Sequence, residues 1–175
     1  MAIWVRTHRP GLQFWCPQLP PSPAQAMALV ADTLAHWPPQ GVAIMGSSLG
    51  GFYATWVAEQ LPAGQQAQVV LVNPAVEPAR DLARYIGEQT SWHNPQERFF
   101  FQPGFVDELI ALGQPPLTHT QRYQTWAATG DEVLDWREMQ ARYATTRCEV
   151  VPGSDHALSD FDDHLPQMLR HLGLT

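Results

Sequence analysis

The chain has 175 residues, of which 45% are hydrophobic, and a formal net charge of −7 at pH 7. This length fits one compact domain with a buried core. Because only 10 residues are Lys or Arg, the chain would be repelled by nucleic-acid phosphates and anionic lipid head groups, so we expect no nucleic-acid partner and no membrane partner.

Redox and targeting signals are equally sparse. Cys16 and Cys148 form no C-x-x-C motif, and the first residues show no signal-peptide pattern. We therefore expect two free thiols and a cytoplasmic protein. The seven histidines form no H-E-x-x-H and no convincing metal cluster, so we expect neither a metal nor another cofactor.

The first predicted elements are a short strand and a helix. Residues 12–16 favour a strand that Pro17 closes. Ser22 is typical of a helix N-cap, with Pro23 at the first helical position and Gln25 at the third, as in a capping box. We expect this helix to run to about residue 37.

Four further strands are predicted from short apolar runs at residues 42–45, 69–72, 122–128 and 148–151. Helices are predicted over about 50–61, 106–112 and 136–143, with an amphipathic helix at the C-terminus. This alternation predicts an α/β fold with a parallel sheet covered by helices. Between Asn73 and Thr120 the alternation breaks. There we expect either a small inserted cap at about 77–118 or aromatic residues that close one side of the core.

The motif with the clearest chemistry is G-x-S-x-G at residues 46–50, placed directly after a predicted strand and directly before a predicted helix. A sharp strand-to-helix turn exposes the serine at the carboxyl end of the sheet, and flanking glycines remove side chains that would collide. We therefore expect Ser48 to be a nucleophile, with Ser47 as second choice. The backbone N–H of Leu49 would then be one oxyanion donor.

A serine nucleophile needs a histidine base held by a carboxylate. His156 is the histidine that follows a late strand within a short glycine-containing loop, while the others lie in loops or flank helices. Asp131 is our first choice for the acid. Asp135 is better explained as a helix N-cap, Glu132 as a solvated charge, and Asp155 would have to fold back sharply to orient the neighbouring imidazole.

Several longer strings resemble the YqiA-type bacterial esterases of the α/β-hydrolase superfamily. They are residues 16–21, 46–51, 53–56, 72–76, 129–135 and 153–156. The resemblance implies an α/β-hydrolase fold and hydrolysis of carboxylic esters or acyl thioesters, with Ser48, Asp131 and His156 at the triad positions. It covers the chain from about residue 4 to its end. The His-Gly-Phe string that members carry near their start is absent here.

This departure leads to an expectation about the sheet. In the superfamily the strand bearing the first oxyanion loop lies beside the nucleophile strand, and we expect this chain to begin about one strand and one loop late. Weak turnover and an open, apolar sheet edge that could pair in a homodimer would follow. Alternatively, residues 2–5 or a strand of a second copy fill the gap.

The expected substrate is a small acyl ester or thioester. Phe99, Phe100 and Phe101 suggest an apolar acyl pocket that prefers medium over two-carbon acyl groups. Two other functions stay open. The chain could be a non-catalytic module that binds a small ligand or a partner, or it could transfer the acyl group to an acceptor other than water.

Overall fold

The computed structural model describes residues 1–38, 41–62, 64–90, 96 and 98–175. Its α-helices are α1 (Ala2–His8), α2 (Pro23–Ala35), α3 (Leu49–Gln60), α4 (Pro78–Leu82), α5 (Pro103–Leu112), α6 (Trp136–Arg142) and α7 (Phe161–His171). Its strands are β1 (Val42–Ser47), β2 (Ala67–Val72), β3 (Gly87–Thr90), β4 (Arg98–Phe101), β5 (Tyr123–Ala128) and β6 (Arg147–Val151). None of these helices is long and apolar enough to cross a membrane.

The main sheet has four parallel strands in the order β1-β2-β5-β6. These are the four strands predicted from the apolar runs at 42–45, 69–72, 122–128 and 148–151. The interior strand β5 is buried along its whole length, as a strand covered on both faces should be. In the described residues β1 pairs only with β2, so β1 lies at an edge of the sheet.

Helices cover both faces of this sheet. On one face, Tyr123 of β5 packs in a cluster with Ala58 of α3. On the other face, Trp126 of β5 packs with Met168 of α7. Successive side chains of a strand point to opposite faces, which explains why these two β5 residues belong to separate clusters. The parallel, helix-covered sheet agrees with the prediction.

The N-terminal region differs from the prediction in one element. Residues 12–16 form no strand, and Leu12 and Phe14 are 42% and 43% exposed. A strand needs a hydrogen-bonding neighbour and a surface to pack on, and the local apolar pattern supplies neither. The suggestion that residues 2–5 fill the sheet edge as a strand is also wrong, because they lie in α1 and Val5 is buried there.

The helix predicted after Ser22 is confirmed. The hydroxyl of Ser22 accepts a hydrogen bond from the Gln25 N–H, and Pro23 is the first helical residue. A distant carboxylate completes this cap, because Glu108 of α5 accepts hydrogen bonds from the Ala24 N–H and the Ser22 hydroxyl.

The segment between β2 and β5 contains α4, the antiparallel β3–β4 hairpin and α5. Leu109 of α5 is buried in a cluster with Phe52 of α3 and Ala26 of α2, so α5 contributes to the core. Trp92, an aromatic residue of this segment, lies outside the described residues. A cap at 77–118 stays a prediction.

Candidate active site

The loops that follow the strands of the main sheet meet at its carboxyl edge. The parallel ladder continues one amide beyond three of the strands: Ser48 N–H donates to Val72 O, Asn73 N–H to Trp126 O, and Thr129 N–H to Val151 O. Each loop therefore leaves the sheet at a defined position. In open α/β sheets this carboxyl edge is where ligands bind.

Ser48 occupies a sharp turn between β1 and α3. Its backbone angles are φ 54° and ψ −125°, a left-handed conformation that a residue with a side chain rarely adopts. Such strain at one residue is typical of the nucleophile turn of serine hydrolases. Ser48 is also the N-cap residue of α3, so its side chain lies at the positive end of the helix dipole.

Only one of the two motif glycines has the role predicted for it. A Cβ atom at Gly46 would lie 2.6 Å from the carbonyl carbon of Gly50 and 2.9 Å from Ala54 Cβ, but a Cβ atom at Gly50 would meet nothing within 4 Å. The second close approach is instead at Gly51, where a Cβ atom would lie 2.8 Å from Pro74 Cα. Of the two motif glycines, only Gly46 is required by space.

Ser48, His156 and Asp131 form a continuous hydrogen-bonded chain. Ser48 Oγ lies 3.0 Å from His156 Nε2, and His156 Nδ1 lies 2.9 and 2.8 Å from the two carboxylate oxygens of Asp131. The side chain of Asp131 is fully buried and that of His156 is 17% exposed. A carboxylate can only accept, so Nδ1 carries the imidazole proton and Nε2 is left to accept the Ser48 proton.

The loops that carry the acid and the histidine are joined to each other. Gly130 N–H donates to Ser154 O and Gly153 N–H donates to the Thr129 hydroxyl. A Cβ atom at Gly130 would lie 2.7 Å from Ser154 O, so only glycine permits this approach. Asp131 Oδ1 also accepts from the backbone N–H groups of Val133 and Leu134, at 2.8 and 2.9 Å, which fixes the carboxylate in its own turn.

The other candidates are explained by different contacts. Ser47 is the last residue of β1, and the histidine contacts Ser48 instead. Asp135 is the N-cap of α6 as predicted, and it accepts from Arg137 N–H. Asp155 accepts from the Ser159 N–H and hydroxyl. Glu132 is not simply a solvated charge, because its carboxylate accepts from the backbone N–H of His156 at 3.1 Å.

Carboxylates also form hydrogen bonds in the segment between His156 and α7. Hydrogen bonds from Ser159 lower the pKa of Asp155, and a hydrogen bond from Ser154 lowers the pKa of Asp160. Asp160 in addition lies 3.0 Å from His164 Nε2. Both carboxylates thus stabilise the turn that leads from His156 into α7.

The remaining histidines in the described residues have contacts of their own. His164 packs against the Trp126 ring, and His171 Nε2 lies 2.8 Å from Arg122 O. His8 and His36 each contact the backbone carbonyl four residues earlier in their helix regions. His119 precedes a short 3-10 turn, and His93 lies outside the described residues.

The predicted oxyanion donor lies in α3, and the predicted acyl-pocket residues lie in β4. Leu49 is the first residue of α3, and amides in the first turn of a helix have no carbonyl partner within the helix. In the β3–β4 hairpin, Phe101 is buried and packs edge-on against Phe105, while Phe100 is 59% exposed and Phe99 is half-buried. An acyl-binding role for these three phenylalanines stays a prediction.

The sequence interpretation gave no role to Asn73, the first residue after β2. This residue is fully buried, and its side chain contacts the loop of His156. An asparagine directly after a buried strand and directly before a proline is the signal that could have drawn attention to it.

Comparison with known proteins agrees with this architecture. Residues 1–173 match the sequence profile of an uncharacterised protein family, UPF0227. A YdeN-like hydrolase from Pectobacterium atrosepticum is 20% identical, with 98% of this chain and 80% of that chain covered and a TM-score of 0.57.

Two further solved structures are similar. Est1E from Butyrivibrio proteoclasticus, with ferulic acid bound, is 13% identical, with 88% and 70% coverage and a TM-score of 0.61. An α/β superfamily hydrolase from Oenococcus oeni is 16% identical, with 94% and 79% coverage and a TM-score of 0.60. The α/β-hydrolase fold predicted from the sequence is therefore confirmed.

Proposed function

This chain belongs to the YqiA-like family UPF0227, and from that membership and its hydrolase fold we propose that it is a serine hydrolase that cleaves carboxylic esters or acyl thioesters. The observation that carries the proposal is the 3.0 Å contact between Ser48 Oγ and His156 Nε2, continued to Asp131, at a serine with φ 54°. A hydrogen-bonded chain of this kind on a strained turn is the arrangement that activates a serine.

The proposed reaction has two acyl-transfer steps. Ser48 Oγ attacks the substrate carbonyl while His156 Nε2 takes its proton, and His156 then returns that proton to the leaving alcohol or thiol. Water attacks the resulting acyl-enzyme in the same way, which releases the acid and restores Ser48. Asp131 holds the imidazole in the required tautomer and stabilises the imidazolium.

The oxyanion of each tetrahedral intermediate would be stabilised by the Leu49 N–H and the positive end of α3. In this superfamily a second donor comes from the loop after the strand beside the nucleophile strand. Within the described residues that side of β1 has no neighbour, so we expect weak turnover, since one lost donor costs about 10²- to 10³-fold in kcat. A homodimer would pair at this same edge. Analytical ultracentrifugation that shows sedimentation of a monomer at every concentration tested would contradict such pairing.

The direct test is Ser48→Ala, with Ser47→Ala as the matched control on the neighbouring serine. With p-nitrophenyl butyrate we expect Ser48→Ala to lose at least about 10³-fold in kcat, because no other group forms the acyl-enzyme. Ser47→Ala should stay within a few-fold of the wild type. Equal activity of Ser48→Ala and the wild type would overturn the assignment.

Labelling with a fluorophosphonate tests activation without a chosen substrate. We expect one adduct, located on Ser48, and none in the His156→Ala variant. A folded wild-type sample that forms no adduct would favour a non-catalytic binding module. Product analysis with added alcohols or amines separates hydrolysis from acyl transfer to another acceptor.

Acyl-chain preference is a separate part of the proposal. If the phenylalanines at 99–101 line the acyl site, kcat/KM should be higher for hexanoate than for acetate esters, since each buried methylene contributes up to about 0.8 kcal/mol. Because the Phe100 side chain is exposed, Phe100→Ala should reduce the ratio of kcat/KM for hexanoate to that for acetate esters without a large loss of stability. Equal kcat/KM for the two esters would rule the preference out.

A further inference from the structure

Asn73 has an unusual backbone conformation and no exposure to solvent. Its φ is 42°, and its relative accessibility is 0%. The next residue is Pro74, and a residue before proline favours extended conformations. A left-handed residue at such a position persists only when its surroundings fix it.

The side-chain amide of Asn73 supplies those surroundings with three hydrogen bonds. Nδ2 donates to the carbonyl oxygens of Asp155 and His156, both at 3.0 Å, and Oδ1 accepts from the Ala128 N–H at 2.8 Å. All three hydrogen-bond partners are backbone groups. One side chain therefore joins the end of β2 to the end of β5 and to the loop that carries the histidine.

These contacts fix the backbone of His156 from both sides. Its carbonyl accepts from Asn73, and its N–H donates to Glu132. Two residues beyond Asn73, the Ala75 N–H donates to the carbonyl of Ser48 at 2.9 Å. The loop after β2 thus connects the turn of the nucleophile with the loop of the base, although the two residues are 108 positions apart in the chain.

We propose that Asn73 is a positioning residue, whose amide holds the His156 backbone and the end of β5 so that His156 stays aligned between Asp131 and Ser48. Its catalytic consequence rests on the proposed hydrolase function. Asn73 acts through His156 and has no bond to Ser48 Oγ. Because a misplacement of about 1 Å at a reacting group can cost about 10²-fold in rate, loss of this support should affect kcat strongly.

Two variants test the donors and the whole side chain separately. Asn73→Asp keeps an acceptor for Ala128 N–H and replaces the donors to Asp155 and His156 with a carboxylate oxygen. Asn73→Gly removes the side chain but tolerates the positive φ, so it adds no backbone strain. The matched control is Thr55→Val, which removes the two hydrogen bonds of another buried side chain, one donated to the Gly51 carbonyl at 3.0 Å and one shared with the Tyr143 hydroxyl at 2.9 Å.

The first readout is the pair of imidazole nitrogen chemical shifts of His156, assigned by their loss in His156→Ala. The wild type and Thr55→Val should show one tautomer protonated at Nδ1. Both Asn73 variants should show a shift toward a mixture of tautomers, because the imidazole is no longer held against Asp131. This readout needs no turnover, so it tests the positioning role even if the hydrolase function fails.

The second readout is turnover with p-nitrophenyl butyrate. We expect both Asn73 variants to lose about 10²-fold in kcat with KM within about twofold, and Thr55→Val to keep its kcat despite a lower Tm. Unchanged His156 shifts together with kcat within a few-fold of the control would overturn the inference. A wild type that neither turns over esters nor labels at Ser48 would instead overturn the proposed function.

Discussion

Replacing Gly46 with alanine should destabilise the protein strongly, whereas the same change at Gly50 should not. An added Cβ at Gly46 would lie within 3 Å of the Gly50 carbonyl carbon and of Ala54 Cβ, and at Gly50 it would meet nothing within 4 Å. The atoms that Gly46 would strike belong to α3, so they cannot move without shifting the turn that carries Ser48.

The two substitutions should change the free energy of unfolding in opposite directions. Overpacking of this kind costs about 1 to 3 kcal/mol, and contact with backbone puts Gly46→Ala at the upper end. Gly50 lies in the first turn of α3, where alanine is favoured over glycine by up to about 1 kcal/mol. For a chain of this size each kcal/mol shifts Tm by about 2 to 4 °C. Gly46→Ala should therefore lower Tm by about 6 to 12 °C, and Gly50→Ala should leave it unchanged or raise it slightly.

Thermal and urea unfolding of the two variants beside the wild type measure this difference. Gly51→Ala is a second positive control, because its Cβ would lie 2.8 Å from Pro74 Cα. The reasoning is refuted if Gly46→Ala unfolds at the wild-type temperature, or if Gly50→Ala is the less stable of the two. An unchanged urea m-value would show that Gly50→Ala exposes as much surface on unfolding as the wild type does.

Three further predictions concern stability. Thr55→Val and Tyr143→Phe should each lower the free energy of unfolding by about 1 to 3 kcal/mol. The double variant should lose less than the sum of the two, since the two hydroxyls bond to each other, and additive losses in urea unfolding would contradict this. Asp135→Ala should lose about 1 kcal/mol through the N-cap of α6, and an unchanged urea midpoint would argue against that cap. Partial burial raises the pKa of Glu59, but hydrogen bonds to its carboxylate outweigh this and the pKa is lowered. The ionised Glu59 carboxylate therefore stabilises the fold above the ordinary glutamate pKa, and this contribution is lost as the pH falls through the lowered pKa. Acid should consequently reduce the Tm of the wild type more than that of Glu59→Gln.

The sequence alone predicted the sheet and the position of the candidate nucleophile, because those features depend on neighbours in the chain. Apolar runs between turn residues predicted the four parallel strands, and the N-cap of α2 followed from Ser22 and Pro23. The G-x-S-x-G motif placed Ser48 between a strand and a helix, where the structure has it. The choice of Asp131 and His156 from the sequence also selected two side chains that the structure brings into contact with each other.

Tertiary structure decided the features that depend on residues far apart in the chain. Residues 12–16 have the local pattern of a strand, but a strand forms only beside a hydrogen-bonding partner, which no local pattern can supply. Gly50 looked required by the motif, yet the space around each glycine depends on how α3 packs against the loop after β2. Glu132 was interpreted as a solvated charge, and Asn73 had no predicted role. Both bond to the backbone of the histidine loop, and these bonds form only when the carboxyl ends of β2, β5 and β6 are brought together at one edge of the sheet.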